Sequence, residues 1–494
     1  MFKRIVFLFL CIMSYSCIVS ASTPNNDKLH YAYKKNKVKK FVAQKSNHRT
    51  KFLASNRKIK RIRRAPIIYN NAMLRPVYIN AQPIFLKAYA ARILSGSQPK
   101  NVNFSSLDDP REAVDNSSVA LDTPFKQLSW PEIANKIYAK NSKLFANYKG
   151  YTLELTLDPQ LQFASERFLD QNRIVSGATV IIEPKSGRIL ALAQNGGIRN
   201  AYISVSSRAP AASLMKIITA STSIEKENLD PNDEIYFRGG CGYLRNENWM
   251  YDPSRDRQKL TFAKAFGSSC NTVFGRLSLY VAGLSSLKTY AEKYMFNKPI
   301  PSDIKIQTSM FLLPELTTAT PQEVAEAGAG FGATKLSPIH AALLSATISN
   351  GGVMMAPYLV EVAYNSSGKE VYRAKPLQIS KVISRNTSYS VEKLMLATIS
   401  SGTSRRAFHK RGTRADIDEI GGKTGTLLDP ENRDILYTWF SGIAPLNSPN
   451  SIAIGTVVAS QQNWVVRASS VAQNTLAEYL KIEKSEHKVA TTGQ

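Results

Sequence analysis

Arg208-Ala-Pro-Ala-Ala-Ser213-Leu-Met-Lys216-Ile-Ile-Thr-Ala-Ser221-Thr-Ser-Ile224 reads as a loop that arrives at the start of a helix. Leu214, Ile217, Ile218, Ser221 and Ile224 recur at helical spacing. Residues three apart on a helix share a face, so the Lys216 amine reaches the Ser213 hydroxyl. At a helix start, Ser213 also sits among free N–H groups that favour negative charge. A serine hydroxyl becomes a good nucleophile only when something takes its proton. A lysine can do that only when neutral. Bringing it down from about 10.4 to near neutrality costs roughly 4 kcal/mol, which burial or a neighbouring cation can supply. Ser213 is therefore read as the nucleophile and Lys216 as its proton acceptor.

The same Ser-x-x-Lys spacing occurs at Ser285/Lys288, Ser302/Lys305, Ser366/Lys369 and Ser390/Lys393, so spacing alone selects nothing. Two later motifs select Ser213. In Ser269-Cys270-Asn271, two polar side chains spaced two apart can meet at one site. Ser269 is suited to pass a proton onward and Asn271 to hydrogen-bond a substrate backbone. Ser384-Arg-Asn386 and Ser448-Pro-Asn450 share that pattern. Gly421-Gly422-Lys423-Thr424-Gly425-Thr426 occurs once. As a strand it offers a cation at Lys423, a bare backbone at Gly425, and hydroxyls at Thr424 and Thr426, a set suited to a carboxylate. A phosphate loop would need glycine at 417, where Ile417 stands.

Around these motifs the pattern changes along the chain. Leu153, Leu155 and Leu157 alternate with polar residues as a half-buried strand, and Asp158-Pro159 opens a helix to about Asn172. Ala178–Glu183 and Ile189–Ala193 form a hairpin about Lys185-Ser-Gly187. From 213 to 350 the reading is mostly helical, including Pro321–Ala327 and Ile339–Ile348. Strands return at Leu359–Tyr364, Gly422–Thr426, Tyr437–Ile443 and Ile452–Ala459. The fold class is α/β of the α+β type: a central antiparallel sheet flanked by helices, its two halves separated by an inserted all-α subdomain. The site is expected where insertion meets sheet. Upstream, Phe85–Leu94 reads as a helix. Ser129-Trp130-Pro131-Glu132 reads as a capping box whose helix continues through Ile133, Ile137 and Leu144. Asp108, Asp109 and Glu112 read as a solvated loop.

Ser-x-x-Lys, Ser-x-Asn and Lys-Thr-Gly in this order resemble the penicillin-binding transpeptidase family. Flanking stretches agree: Thr156-Leu-Asp-Pro-Gln-Leu-Gln162, Glu183-Pro-Lys-Ser-Gly-Arg-Ile-Leu-Ala191, Leu336-Ser-Pro-Ile-His-Ala341 and Asn350-Gly-Gly-Val-Met-Met-Ala-Pro357. The resemblance covers roughly 150 to 480. It implies a penicillin-binding/β-lactamase-like fold and a serine acyl-transferase acting on cell-wall stem peptides or their lipid-linked precursor. Ser213 would attack the penultimate D-Ala carbonyl and expel D-Ala. Backbone N–H groups of Ser213 and Thr426 would bind the oxyanion, and Lys423 with Thr426 the terminal carboxylate. Lys423 would also repel a proton from Lys216, and β-lactams would acylate Ser213. A DD-carboxypeptidase or serine β-lactamase is the near alternative. A non-catalytic β-lactam sensor or wall-binding scaffold is the distant one. The chain lacks both a glycosyltransferase portion and the Arg-Gly-x-Ile-x-Asp-Arg signature of the larger family members.

The 494 residues carry a net charge of +27 and a pI near 9.8, which favours anionic partners. Lys3 and Arg4, the apolar run Ile5–Met13 and Val19-Ser20-Ala21 read as an export signal over residues 1–21, with an uncleaved membrane anchor as the alternative. Residues 22–65 form a basic linker with few acids, suited to an anionic membrane or wall polymer. Export removes nucleic acid as a partner and leaves other wall-synthesis proteins. Residues 66–150 read as a small accessory region, 151–480 as the catalytic domain and 481–494 as a polar tail. Cys241 and Cys270 lie beyond the signal, where a disulfide is permitted; it would stabilise by roughly 3.5 kcal/mol, and two free thiols are the alternative. The five histidines have no ligand spacing, so no metal and no cofactor are expected. His340 reads as packing. Gly328-Ala-Gly-Phe-Gly332 lacks the strand and ribose acid of a dinucleotide site and reads as an approach to the next helix.

Overall fold

The computed structural model describes residues 123–492, apart from 126, 172–173, 175, 196–202, 410–416, 431 and 462–465. The export segment, the basic linker, the Phe85–Leu94 helix and the 108–112 acidic cluster lie outside the described residues. In chain order, a short helix α1 (Trp130–Ala134) leads to strands β1 (Ile137–Lys140), β2 (Lys143–Tyr148) and β3 (Tyr151–Leu155). Helix α2 (Pro159–Gln171) follows, its first turn capped by the Asp158 carboxylate, which accepts from Leu161 N at 2.8 Å. The hairpin β4 (Ser176–Ile182) and β5 (Ile189–Asn195) comes next.

The helical portion starts with a 3₁₀ turn, Ala212–Leu214, running into α3 (Met215–Glu227). It continues through β6 (Glu234–Phe237), β7 (Gln258–Thr261), α4 (Phe262–Gly267), α5 (Asn271–Leu277), α6 (Leu284–Lys293), β8 (Met310–Leu312), α7 (Pro321–Ala329), β9 (Ala333–Lys335) and α8 (Pro338–Ser349). Then come β10 (Val353–Met355), β11 (Val360–Tyr364), β12 (Glu370–Arg373), β13 (Gln378–Lys381), α9 (Arg385–Ser400) and α10 (Arg405–Phe408). The chain closes with β14 (Gly421–Leu428), β15 (Ile435–Ala444), β16 (Ile452–Gln461) and α11 (Ala468–Thr492).

The central sheet has the order β14-β15-β16-β4-β5 and is antiparallel throughout. Early and late strands thus meet side by side, with the helices inserted between them in sequence, as the pattern predicts. Helix α8 is buried from Pro338 to Ile348 and apolar all round, so it runs through the core rather than over it. It packs so closely on β16 that a Cβ on Gly455 would lie 2.3 Å from the Pro338 carbonyl oxygen. His340 packs in that helix, its Nε2 2.7 Å from the Tyr294 carbonyl, and burial lowers its pKa to about 4.

Two expectations change. Not all strands join one sheet: β3 and β11 pair in a second, five-stranded sheet of order β1-β2-β3-β11-β12. Alternation identifies a half-buried strand but not its partner, and the partner here lies across the whole helical insertion. That sheet also runs across the boundary placed between 150 and 151. The helix expected from Trp130 through Leu144 stops after five residues, and Ser129 makes no side-chain cap. Asn141 and Ser142 take positive φ (50° and 60°) in a turn, and Leu144, Ala146 and Tyr148 are buried at strand spacing. Helix α11 runs on through the polar segment from 481 to Thr492. No helix among the described residues is long and apolar enough to cross a membrane.

Candidate active site

Ser213 lies in the 3₁₀ turn that opens α3, and the turn is held under constraint. Ala212 takes φ +50°, a left-handed conformation unfavourable for a side-chain-bearing residue. Gly330, at φ +92°, presses against it: a Cβ there would lie 2.2 Å from the Ala212 carbonyl oxygen and 3.1 Å from Ser213 N. On the other side β14 approaches, with a Cβ on Gly425 falling 3.2 Å from the Ala211 oxygen. The Trp439 indole, on β15, donates to the Pro210 carbonyl at 2.8 Å and anchors the incoming loop.

The Lys216 amine is 2.9 Å from Ser213 Oγ, one helical turn away as the spacing predicts. Its other neighbours are Asn271 Oδ1 at 2.7 Å and the Ala329 carbonyl. Asn271 Nδ2 donates to the Gly242 carbonyl at 2.8 Å, so its Oδ1 faces the lysine as an acceptor. The Ala329 oxygen is an acceptor by nature. A neutral amine has two hydrogens and one lone pair; with both hydrogens given to these oxygens, the lone pair points to the Ser213 hydroxyl. Lys216 is fully buried, and burial, then the charge of Lys423, holds its pKa well below the usual lysine range.

Lys423 is also fully buried, and burial pushes its pKa down to about 7. Its amine donates to Ser269 Oγ at 2.9 Å and the Thr424 carbonyl at 3.0 Å. Ser269 takes φ +57° just before Cys270, which is bonded to Cys241. The disulfide, the bond from Asn271 N to the Cys241 carbonyl at 2.8 Å, and the Asn271 side chain fasten the start of α5 to the 238–256 segment. Arg276, on the same helix, is buried and pairs in two-pronged fashion with Asp256, at 2.5 and 2.8 Å. It also donates to the Tyr236, Asn248 and Met250 carbonyls, which satisfies a buried ion pair of otherwise high cost.

A cavity of about 230 Å³ opens over this arrangement, lined by Ser213, Ser269, Asn271, Thr424, Gly425 and Thr426. Six of the eight residues picked from the sequence therefore share one surface, and Lys216 and Lys423 lie buried among them. Residues 177–481 match the family model for the penicillin-binding protein transpeptidase domain. The chain belongs to the penicillin-binding protein transpeptidase family. It is 24% identical over 353 residues to the peptidoglycan D,D-transpeptidase PbpA of Mycobacterium tuberculosis, covering 63% of this chain and 67% of that one. The D,D-transpeptidase domain of a peptidoglycan glycosyltransferase from Eggerthella lenta superposes with a TM-score of 0.54 at 24% identity, covering 67% and 83%. The imipenem acyl-enzyme of penicillin-binding protein A from M. tuberculosis does so with 0.52 at 21%, covering 66% and 79%.

Within this transpeptidase domain, β14 divides its side chains between two faces. Lys423, which the resemblance pairs with Thr426 at a carboxylate, contacts Ser269 and the Thr424 carbonyl here. Residues three apart on a strand point to opposite faces. Accordingly, Lys423 faces inward, while Thr424 and Thr426 share the accessible face. Sequence reading also passed over several participants. Thr403 meets Thr424, hydroxyl to hydroxyl, at 2.6 Å, and with Trp439, Arg467 and Ser469 it adds to the cavity wall. The Gly328–Gly332 stretch supplies Ala329 to Lys216 and Gly330 to the nucleophile turn. Its closely spaced glycines were the available signal. No group of three or more potential metal ligands occurs among the described residues.

Proposed function

We propose that this transpeptidase joins peptidoglycan stem peptides through an ester on Ser213. Lys216 takes the hydroxyl proton as Ser213 Oγ attacks the penultimate D-Ala carbonyl. The tetrahedral oxyanion is held by the N–H groups of Ser213 and Thr426, a contribution of about 3 kcal/mol in comparable sites. The C–N bond then breaks, and the leaving D-Ala nitrogen takes a proton delivered through Ser269, which the Lys423 amine orients. An amine of a second stem peptide attacks the ester, gives its proton back through the same groups, and leaves Ser213 free. With water as acceptor, the same steps give a carboxypeptidase.

The observation that carries this reading is the buried Lys216 amine, 2.9 Å from Ser213 Oγ and in contact with two oxygens, Asn271 Oδ1 and the Ala329 carbonyl, that can take both hydrogens of the neutral amine and leave its lone pair for Ser213. The M. tuberculosis relative named as a D,D-transpeptidase supports the reaction class, and the imipenem acyl-enzyme of the related fold supports the ester. β-Lactams are accordingly expected to acylate Ser213. Such substrates place the domain outside the cytoplasm, with residues 1–21 as the export segment and 22–65 as a tether to an anionic surface. The test is intact-mass analysis after incubation with benzylpenicillin. The wild type should gain one penicilloyl mass, mapped to Ser213, and Ser213→Ala should gain none. A folded wild type that gains no mass overturns the reading.

A further inference from the structure

The donor peptide of the proposed reaction ends in a carboxylate, as does a penicillin. Placing that anion in a cavity needs compensating donors and, for tight binding, a positive charge. Lys216 and Lys423 are fully buried, and their amines are engaged with Ser213, Asn271 and Ala329, and with Ser269 and Thr424. Among the described residues that line the cavity, Arg467 is the one with a charged side chain.

Arg467 stands immediately before α11, and its carbonyl accepts from the N–H groups of Ser470 and Val471, so the guanidinium is carried at the opening turn of that helix. Ser469, on the same turn, also lines the cavity and is 6% exposed. The Thr424 and Thr426 hydroxyls lie on the accessible face of β14 and border the same space. Partial burial, and then the nearby charge of Arg406, disfavour the proton on Arg467, so a bound anion would relieve a concentration of positive charge.

We infer that Arg467 is the carboxylate-binding cation of this enzyme, acting with Thr424, Thr426 and Ser469 on the terminal carboxylate of the donor peptide and of β-lactams. This rests on the transpeptidase reading. It gives Lys423 a separate task, orienting Ser269, and it makes Arg467 a determinant of preference for anionic over neutral substrates.

The test compares acylation by benzylpenicillin and by its methyl ester, which lacks the negative charge, in the full chain and its variants. Mass spectrometry follows adduct formation over time. Arg467→Ala should lower the acylation efficiency with the acid at least about 10-fold, as loss of a charge-assisted hydrogen bond does, and change that with the ester less than about 2-fold. Arg467→Lys should recover part of the loss. An equal loss for acid and ester, or an unchanged rate with the acid, overturns the inference and leaves the transpeptidase reading intact. A wild type that neither compound acylates overturns the transpeptidase reading itself.

Discussion

Gly330→Ala tests whether the nucleophile's position depends on a glycine outside the three motifs. The added Cβ would sit 2.2 Å from the Ala212 carbonyl oxygen and 2.6 Å from its carbon. Ordinary contact needs about 3.2 Å or more, so the Ala212–Ser213 backbone must retreat by about 1 Å or α7 must shift. The φ of +92° adds about 1–2 kcal/mol for any side-chain-bearing residue. Overpacking adds about 1–3 kcal/mol. A displacement near 1 Å at a reacting atom costs on the order of 100-fold in rate. Gly368→Ala is the control. It has φ +77° and nothing within 4 Å of its Cβ, so it carries backbone strain without a clash. Acylation by a fluorescent penicillin and thermal unfolding are measured on both variants. Gly330→Ala should lose about 100-fold in acylation, and Gly368→Ala should lose only stability. If Gly330→Ala acylates within about 3-fold of wild type, the close approach does not position Ser213.

Lys216→Met should lower acylation at least about 1,000-fold with the chain still folded; stopped-flow acylation checks this. In the wild type, acylation should rise with pH as Lys216 loses its proton, and Lys423→Met, which removes a repelling charge, should shift that rise to higher pH in the measured pH–rate profile. Cys241→Ser with Cys270→Ser should cost roughly 3.5 kcal/mol by the loop-entropy model and slow acylation, because the Ser269–Asn271 turn loses its fastening to Cys241; denaturant melts and adduct rates report the two effects. His340 stays neutral when folded down to about pH 4, against an ordinary value of 6.5. Between pH 6.5 and 4 the unfolded chain therefore binds a proton that the folded chain does not. Stability attributable to His340 is present above 6.5 and falls with decreasing pH, by up to about 1.4 kcal/mol per pH unit; His340→Phe should flatten that part of a urea-melt series.

The chemistry was legible where local periodicity carries it. Ser213 and Lys216 meet because a spacing of three works on a helical turn, and β14 presents its hydroxyls because alternate strand residues share a face. That same alternation turns the Lys423 side chain to the buried face of the strand. Pairing was not legible. Leu155 faces Val360 in the second sheet across the entire helical portion, and nothing in either segment names the other. Arg467 and Ser469 belong to no motif; they reach the cavity because the last helix begins there. The one-turn helix at Trp130 misled because Ile133, Ile137 and Leu144 fit a helical period, while Leu144, Ala146 and Tyr148 fit the strand that forms.

Two fully buried lysines set a condition on when the molecule can exist. In the unfolded chain both are ammonium ions at neutral pH, whereas burial in the native interior holds the pKa of Lys216 well below the usual lysine range and brings that of Lys423 down to about 7. Each molecule that folds therefore expels hydrogen ions into its surroundings. Acidification opposes that release and so acts against the same groups that make Ser213 reactive. Tolerance of acid and readiness to react are opposed within a single pair of amines, and the remainder of the fold must be stable enough to hold them there.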